Sequence, residues 1–342
     1  MNRSITLSGR GLDRFELVGL GLAGLGVLAF SFTLPATVFA LRGLDPYLIG
    51  VGRAGGATVL AAGALAATRA RRPRRGEWPG IVAAGAGVVF GFPVLSTLAL
   101  DHGASASHSA VVIGLLPAAT AVGAVLRAGE RPSRSFWMAS AAGALCVCAF
   151  ALSRGDAGGA GRGAAAGRVT PADLLLFGAL LAAAVGYAEG GRLARKMPGW
   201  QVISWALVCT GPVSVPVTGW LLATTGPRWT GEVVAGFCYV SAVSMFLGFF
   251  AWYAGLGRAG IARAGQTQLV QPLLTIGWSA LLLGERVDLT TGAAALAVLG
   301  CVAWTQRARA ARPGTVRAGG QDLHDVTSER TMGSAMSQSG DG

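Results

Sequence analysis

PAATAVGAVLRAGER occupies residues 117–131, and PLLTIGWSALLLGER occupies residues 272–286. The two stretches pair Pro117 with Pro272, Thr120 with Thr275 and Leu126 with Leu281. They also pair Gly129-Glu130-Arg131 with Gly284-Glu285-Arg286. Every pair falls at one offset of 155 residues (position 117 against 272), with no gap. In each copy an apolar segment precedes the Gly-Glu-Arg and another follows it. Two related halves made of apolar segments are the sequence trace of the internal repeats from which many membrane carriers are built.

Composition agrees with that reading. The chain has 342 residues, of which 52% are hydrophobic and 13% charged, whereas a soluble domain carries roughly 25% charged residues. Its 53 glycines suit helices that pack closely in lipid. The net charge of +12 does not point to nucleic acid, because the arginines sit in short clusters between apolar runs, as on a cytoplasmic membrane face. Lys196 is the single lysine, so a phosphate loop ending in Gly-Lys-Ser/Thr is excluded. The five cysteines, Cys146, Cys148, Cys209, Cys238 and Cys301, all lie inside apolar runs. They read as packing residues rather than as a disulfide framework or zinc cluster. No cofactor or metal pattern is present.

A bilayer core takes about 20 apolar helical residues to span. Ten stretches meet that length, near 16–41, 46–68, 78–100, 104–126, 134–152, 171–193, 199–222, 232–256, 260–283 and 288–306. The expected architecture is all-α: ten transmembrane helices as two five-helix repeats, residues 1–153 and 171–306. A Gly/Ala-rich linker (154–170) joins them, and a polar tail (307–342) reads as disordered. The first apolar run, about 25 residues, exceeds the 7–15 of a signal peptide and reads as a span.

With the N-terminus inside, 21 of the 28 basic residues fall on inside segments and six on outside ones. Arg53 lies within the second span. Both termini are therefore expected on the cytoplasmic side of the plasma (inner) membrane. Five spans per half is an odd number, so the second repeat must enter the membrane inverted.

These residues together resemble the EamA-like ten-helix carriers of the drug/metabolite transporter superfamily. Pro117 with Gly129-Glu130-Arg131 and Pro272 with Gly284-Glu285-Arg286 carry the likeness, and Asp45-Pro46…Arg53 at the second helix is also similar. It covers about residues 15–307. The resemblance implies export of amino acids, other metabolites or drugs, driven by an ion gradient, and does not fix the substrate. One departure is the first helix, here mostly Gly, Ala and Leu where many relatives are richer in aromatic and polar residues.

Polar groups at membrane depth are costly unless paired or facing water, so they are the candidate site residues. Thr267, Gln268, Gln271 and Thr275 share one face of the ninth helix. Pro272 removes a backbone donor there and frees a carbonyl. That face either lines a cavity or bonds to neighbouring helices. In the fourth helix Ser105, His108 and Ser109 lie on one face. His108 is either a proton-exchanging group or a packed neutral imidazole. Glu189 is either a coupling-proton carrier or the partner of Arg192 or Arg195. Arg53 either binds an anionic group or snorkels outward. Tyr187, Trp252 and Tyr253 either line the cavity and stack on a substrate or anchor helix ends. Glu130 and Glu285, each followed by Arg (Arg131, Arg286), read as structural groups at the turn and the next helix's N-terminus.

Gly19-x-Gly21-x-x-Gly24 matches a dinucleotide fingerprint, but no strand precedes it, so helix packing explains it better. Gly52-x-x-x-Gly56, Gly87-x-x-x-Gly91 and Gly186-x-x-x-Gly190 suit packing within one molecule or between two copies in a homodimer. The expected partners are the lipid bilayer, a small-molecule substrate and a coupling proton. A membrane-embedded enzyme would need a cluster of His, Asp or Glu at membrane depth, and the chain has only three histidines. A scaffold would have an interior packed shut.

Overall fold

In the computed structural model the described residues are 14–116, 118–120, 170–259 and 267–310, with 122, 134, 138, 141–143, 145, 146, 149 and 264 between them. Pro117, Glu130, Arg131, most of the expected span 134–152, the linker 154–170 except Thr170, and the tail beyond Ala310 lie outside that set. All regular structure among the described residues is helical.

Local chemistry sets where each helix starts, stops and breaks. α1 (Arg14–Ser31) and α2 (Thr33–Leu41) form one apolar rod interrupted at Phe32. Pro35 is the cause: it has no N–H to give the Ser31 carbonyl four residues back. α3 (Pro46–Ala67) is capped by Asp45, whose carboxylate accepts from the amides of Tyr47 (2.8 Å) and Leu48 (3.2 Å). The third rod runs from Arg75 to Asp101. It contains α4 (Trp78–Ala84), a π turn over Gly85–Gly91 and α5 (Phe92–Asp101). α6 (Ala106–Ile113) follows.

In the second half, α7 (Pro171–Leu193) opens with a reciprocal cap between Thr170 and Asp173. α8 (Gly199–Thr224) carries Pro212 and Pro216. α9 (Gly231–Cys238), a π turn over Tyr239–Leu247 and α10 (Gly248–Ala259) make a second interrupted rod. α11 (Gln271–Leu283) and α12 (Leu289–Ala310) complete the described helices.

Among the described residues six rods are long and apolar enough to cross a bilayer: Leu17–Leu41, Pro46–Ala67, Arg75–Asp101, Pro171–Leu193, Gly199–Thr224 and Gly231–Ala259. Shorter apolar helices lie at Ala106–Thr120, Gln271–Leu283 and Leu289–Cys301. Large apolar side chains such as Val59, Leu174, Trp220, Leu281 and Leu289 face outward. Water would penalise that surface, whereas lipid does not.

The packing partners follow a pattern. α1 lies against α10, α3 against α8, α5 against α7 and α6 against α11. The third rod meets α7 backbone to backbone. A Cβ at Gly87 would strike the Ala182 carbonyl, and one at Gly186 would strike Val88. These glycine faces pack inside the chain. The described residues up to Arg309 form one compact unit.

Candidate functional site

A cavity opens where the two interrupted rods meet the broken first helix. It consists of two overlapping chambers, the larger of which reaches Arg53. Phe30, Thr33, Arg53, Tyr187, Phe249 and Gln271 are among its walls. The smaller chamber shares Phe30, Thr33 and Gln271 and adds Gln268, Pro272 and Thr275. The walls therefore come from both halves of the chain. Val88 of the first π turn and Ser244 and Met245 of the second also line the larger chamber. A π turn widens a helix locally and commonly marks a functional site.

Aromatic rings build one wall. The Phe30 and Phe249 centroids are 4.8 Å apart, and Phe30 stacks on Tyr187 at 6.3 Å. Trp252 sits behind them, 5.5 Å from Tyr187. The hydroxyls of Thr33 and Ser244 lie 2.7 Å apart across the two halves and tie the first helix to the second π turn.

The break in the first helix is repaired from the ninth expected span. Thr275 Oγ1 donates to the Ser31 carbonyl that Pro35 leaves free (2.7 Å), and Trp278 Nε1 donates to Ser31 Oγ (3.1 Å). Pro272 has a different outcome. The Gln268 carbonyl it frees is taken by the Gln271 amide in a 3-10 turn, so no bare carbonyl faces the cavity there.

Gln268, Gln271 and Thr275 line the cavity; Thr267 bonds instead to the Ala264 carbonyl (2.6 Å). Gln268 is 3% exposed, and its Nε2 has no hydrogen-bond partner. Tyr187 lines the larger chamber, whereas Trp252 and Tyr253 pack behind the wall. Tyr253 donates to the Gly186 carbonyl (3.3 Å).

Ser105 and His108 do not reach the cavity. Ser105 Oγ accepts from the His108 amide (3.0 Å) and caps α6. His108 Nε2 lies 2.8 Å from Asp173 Oδ1, which joins α6 to α7. Glu189 is buried and accepts from Arg192 Nε (3.0 Å) and Nη2 (2.8 Å), also away from the cavity.

Arg53 does not snorkel. It is 1% exposed and lines the larger chamber, and its Nε and Nη2 have no hydrogen-bond partner among the described residues.

The Gly-Glu-Arg at 284–286 also differs from its expected reading. Gly284 adopts φ +66, the left-handed conformation that ends a helix at little cost to glycine. The Glu285 amide then reaches back to the Ser279 carbonyl (3.3 Å). Its carboxylate accepts from the amides of Ala106 and Ser107 (each 3.0 Å) and from Ser107 Oγ (2.6 Å). Glu285 thus caps α6, not the next helix in sequence. Asp288 caps that one, accepting from the Thr291 amide (3.1 Å). The end of α11 lies at the start of α6, so these two helices run antiparallel. Arg286 is exposed.

Phe30 and Thr33 were not singled out by sequence reading, which saw only a Gly/Ala/Leu-rich first helix. The signal available was Pro35, which predicts a break beside them.

The apolar rods define a multi-pass helical membrane protein with an internal cavity. The chain belongs to the EamA-like transporter family, whose sequence profile matches residues 17–152 and again 170–305. It is 41% identical over 283 residues to the "Uncharacterized transporter YdeK" of Bacillus subtilis (strain 168), across 83% of this chain and 95% of that protein. A solved structure described only as a crystal structure of a protein is similar in fold. It has a TM-score of 0.60 at 17% identity and covers 86% of this chain and 99% of the other. Family and relative point to a transporter rather than an enzyme.

Proposed function

We propose that the chain is a secondary-active exporter of a small metabolite, amino acid or drug that works by alternating access. Ten helices form two inverted five-helix repeats, with both termini on the cytoplasmic side of the plasma membrane. The observation that carries this reading is the cavity, which draws walls from both halves at the two π turns.

Three features support the inverted repeat. Shifted by the repeat offset of 155 residues, the first π turn falls inside the second. Exchanging the halves maps the packing pairs onto themselves: α1 with α10 becomes α7 with the third rod, while α3 with α8 and α6 with α11 are each their own image. The antiparallel contact of α6 and α11 through Glu285 is what an inverted pair requires.

Proton coupling runs through Glu189 or His108 in this reading. Counterflow at varied pH in liposomes tests it. Glu189→Gln or His108→Gln that transports with unchanged proton dependence removes that residue. A cavity that stays closed to water-soluble thiol reagents from both membrane faces, read at Ser244→Cys in a cysteine-free background, overturns alternating access. The scaffold reading expects that outcome.

A further inference from the structure

We infer that the substrate is a small organic anion bearing one carboxylate on an apolar or aromatic body, and that Arg53 receives that carboxylate. This rests on the transporter reading above and names the class of molecule it carries. Arg53 sits about 10 Å into α3, counting 1.5 Å per helical residue from Pro46. At 1% exposure its guanidinium has lost its water, and two of its nitrogens, Nε and Nη2, have received no protein acceptor in exchange. A buried charge is costly unless paired. A chain folded around such a group holds it for an acceptor that arrives from outside. Nε and an Nη on one guanidinium form the fork that takes both oxygens of a carboxylate.

The rest of the wall narrows the charge and shape of the ligand. Among the described residues lining the two chambers Arg53 is the one charged side chain, and none is Asp or Glu. A monoanion therefore leaves the occupied site neutral. A dianion leaves one negative charge without a partner among the described lining residues. A zwitterionic amino acid or a cationic drug brings an ammonium that meets no carboxylate. Phe30, Phe92, Tyr187, Phe249, Ile113 and Leu116 offer an aromatic and aliphatic surface for the body of the ligand. At the other end Gln268, with its unpartnered Nε2, and Gln271 are placed to meet a second polar group.

The test uses the purified full chain and ligand-dependent thermal stabilisation. The probes are isovalerate, benzoate and phenylacetate, each beside its primary amide, with benzylammonium, phenylglycine and phenyl phosphate as the cation, zwitterion and dianion, and sodium chloride as a plain anion. At least one monocarboxylate is expected to bind about ten- to a hundredfold more tightly than its amide, the worth of a hydrogen bond to a charged group. That preference disappears in Arg53→Gln and survives in part in Arg53→Lys. Without ligand, Arg53→Gln is expected to melt no lower than the wild type, because it removes an unpaired buried charge. A lower melting temperature means that Arg53 has a structural partner and overturns the proposal. So does equal binding of acids and amides, a preference for the zwitterion or cation, stabilisation by chloride alone, or no response to any probe. The thiol-accessibility test at Ser244→Cys reports separately on the cavity. A water-accessible cavity with no carboxylate preference leaves the transporter reading standing and removes only the anion.

Discussion

Glu285 and Arg53 are both charged groups drawn into the helical body, and the chain treats them in opposite ways. Glu285 closes α11 onto α6: its two oxygens take two backbone amides and a hydroxyl. Asp173, close by on α7, takes the Thr170 amide and hydroxyl and faces His108. In that region the donors find acceptors, and the bonds cross between helices far apart in sequence. On the cavity wall two side chains do the reverse. Arg53 Nε and Nη2 and Gln268 Nε2 are buried with no hydrogen-bond partner among the described residues. Paired carboxylates thus assemble helices, whereas Arg53 and Gln268 combine unpaired donors with a place on the cavity wall. Thr97 Oγ1, Ser214 Oγ and Trp252 Nε1 are also buried and unpaired among the described residues but line neither chamber, so it is the combination that marks a candidate ligand contact.

The largest effect is expected where the paired region is cut. Glu285→Ala removes the acceptor of three hydrogen bonds at a helix N-terminus and leaves two backbone amides there without it. The expected loss is about 2–4 kcal/mol, since a cap is worth about 0.5–2 and bonds to a charged group add to it. Glu285→Gln keeps one good acceptor and loses about half as much. Tryptophan fluorescence during thermal unfolding of the purified protein reads both. A melting temperature as little changed as that of Arg286→Ala, at the exposed neighbouring position, would break the comparison.

Asp173→Ala comes next, at about 1–3 kcal/mol. It opens the reciprocal cap with Thr170 and takes a carboxylate from His108. Asp173→Asn retains an acceptor for the Thr170 amide and separates the cap from the contact with His108. If Asn and Ala cost the same, the contact with His108 carries the effect and the cap does not.

Sequence exposed the paired region more readily than the unpaired one. Gly284 before Glu285 announces a left-handed helix end, so a corner was legible. That Glu285 serves a helix about 180 residues away was not, because nothing local distinguishes one helix start from another. The polar face Gln268–Gln271–Thr275 was legible from helical spacing, and the structure places those three residues on the cavity. Arg53 was legible only as to depth. A helix that is apolar on every side gives no sign of which face turns inward, so burial and snorkelling looked alike until packing fixed the rotation. The π turns have no simple sequence signature. Their match across the repeat emerges only from the backbone. In the first helix Pro35 was visible, but its consequence, a Ser31 carbonyl that accepts from Thr275, depends on a partner 244 residues away.

That bond gives a smaller and more pointed prediction. Thr275→Val strands the Ser31 carbonyl and is expected to cost about 1 kcal/mol. Pro35→Ala supplies the missing N–H four residues on, so the carbonyl can be satisfied within the helix. The Thr275→Val cost should therefore shrink when measured in the Pro35→Ala background. A double-mutant cycle on melting temperature tests the coupling directly. Strict additivity would mean that the two residues do not share the carbonyl.

The smallest effect on stability belongs to Gln268, and its smallness is the point. Removing a hydrogen-bond partner is costly when it orphans another group, whereas replacing an already orphaned group by an apolar one of similar shape is close to neutral. Gln268→Met keeps the length of the side chain and removes the unpartnered Nε2. It is expected to change stability by no more than about 0.5 kcal/mol, in either direction, although Gln268 is buried as deeply as residues whose loss is severe. The same substitution should weaken binding of any ligand whose polar end reaches Gln268, while Thr267→Ala, on the neighbouring residue bonded to Ala264, leaves binding unchanged. A Gln268→Met protein that melts well below the wild type would show that the amide holds helices together. The unpaired region would then merge with the paired one, and satisfaction would no longer separate assembly from function.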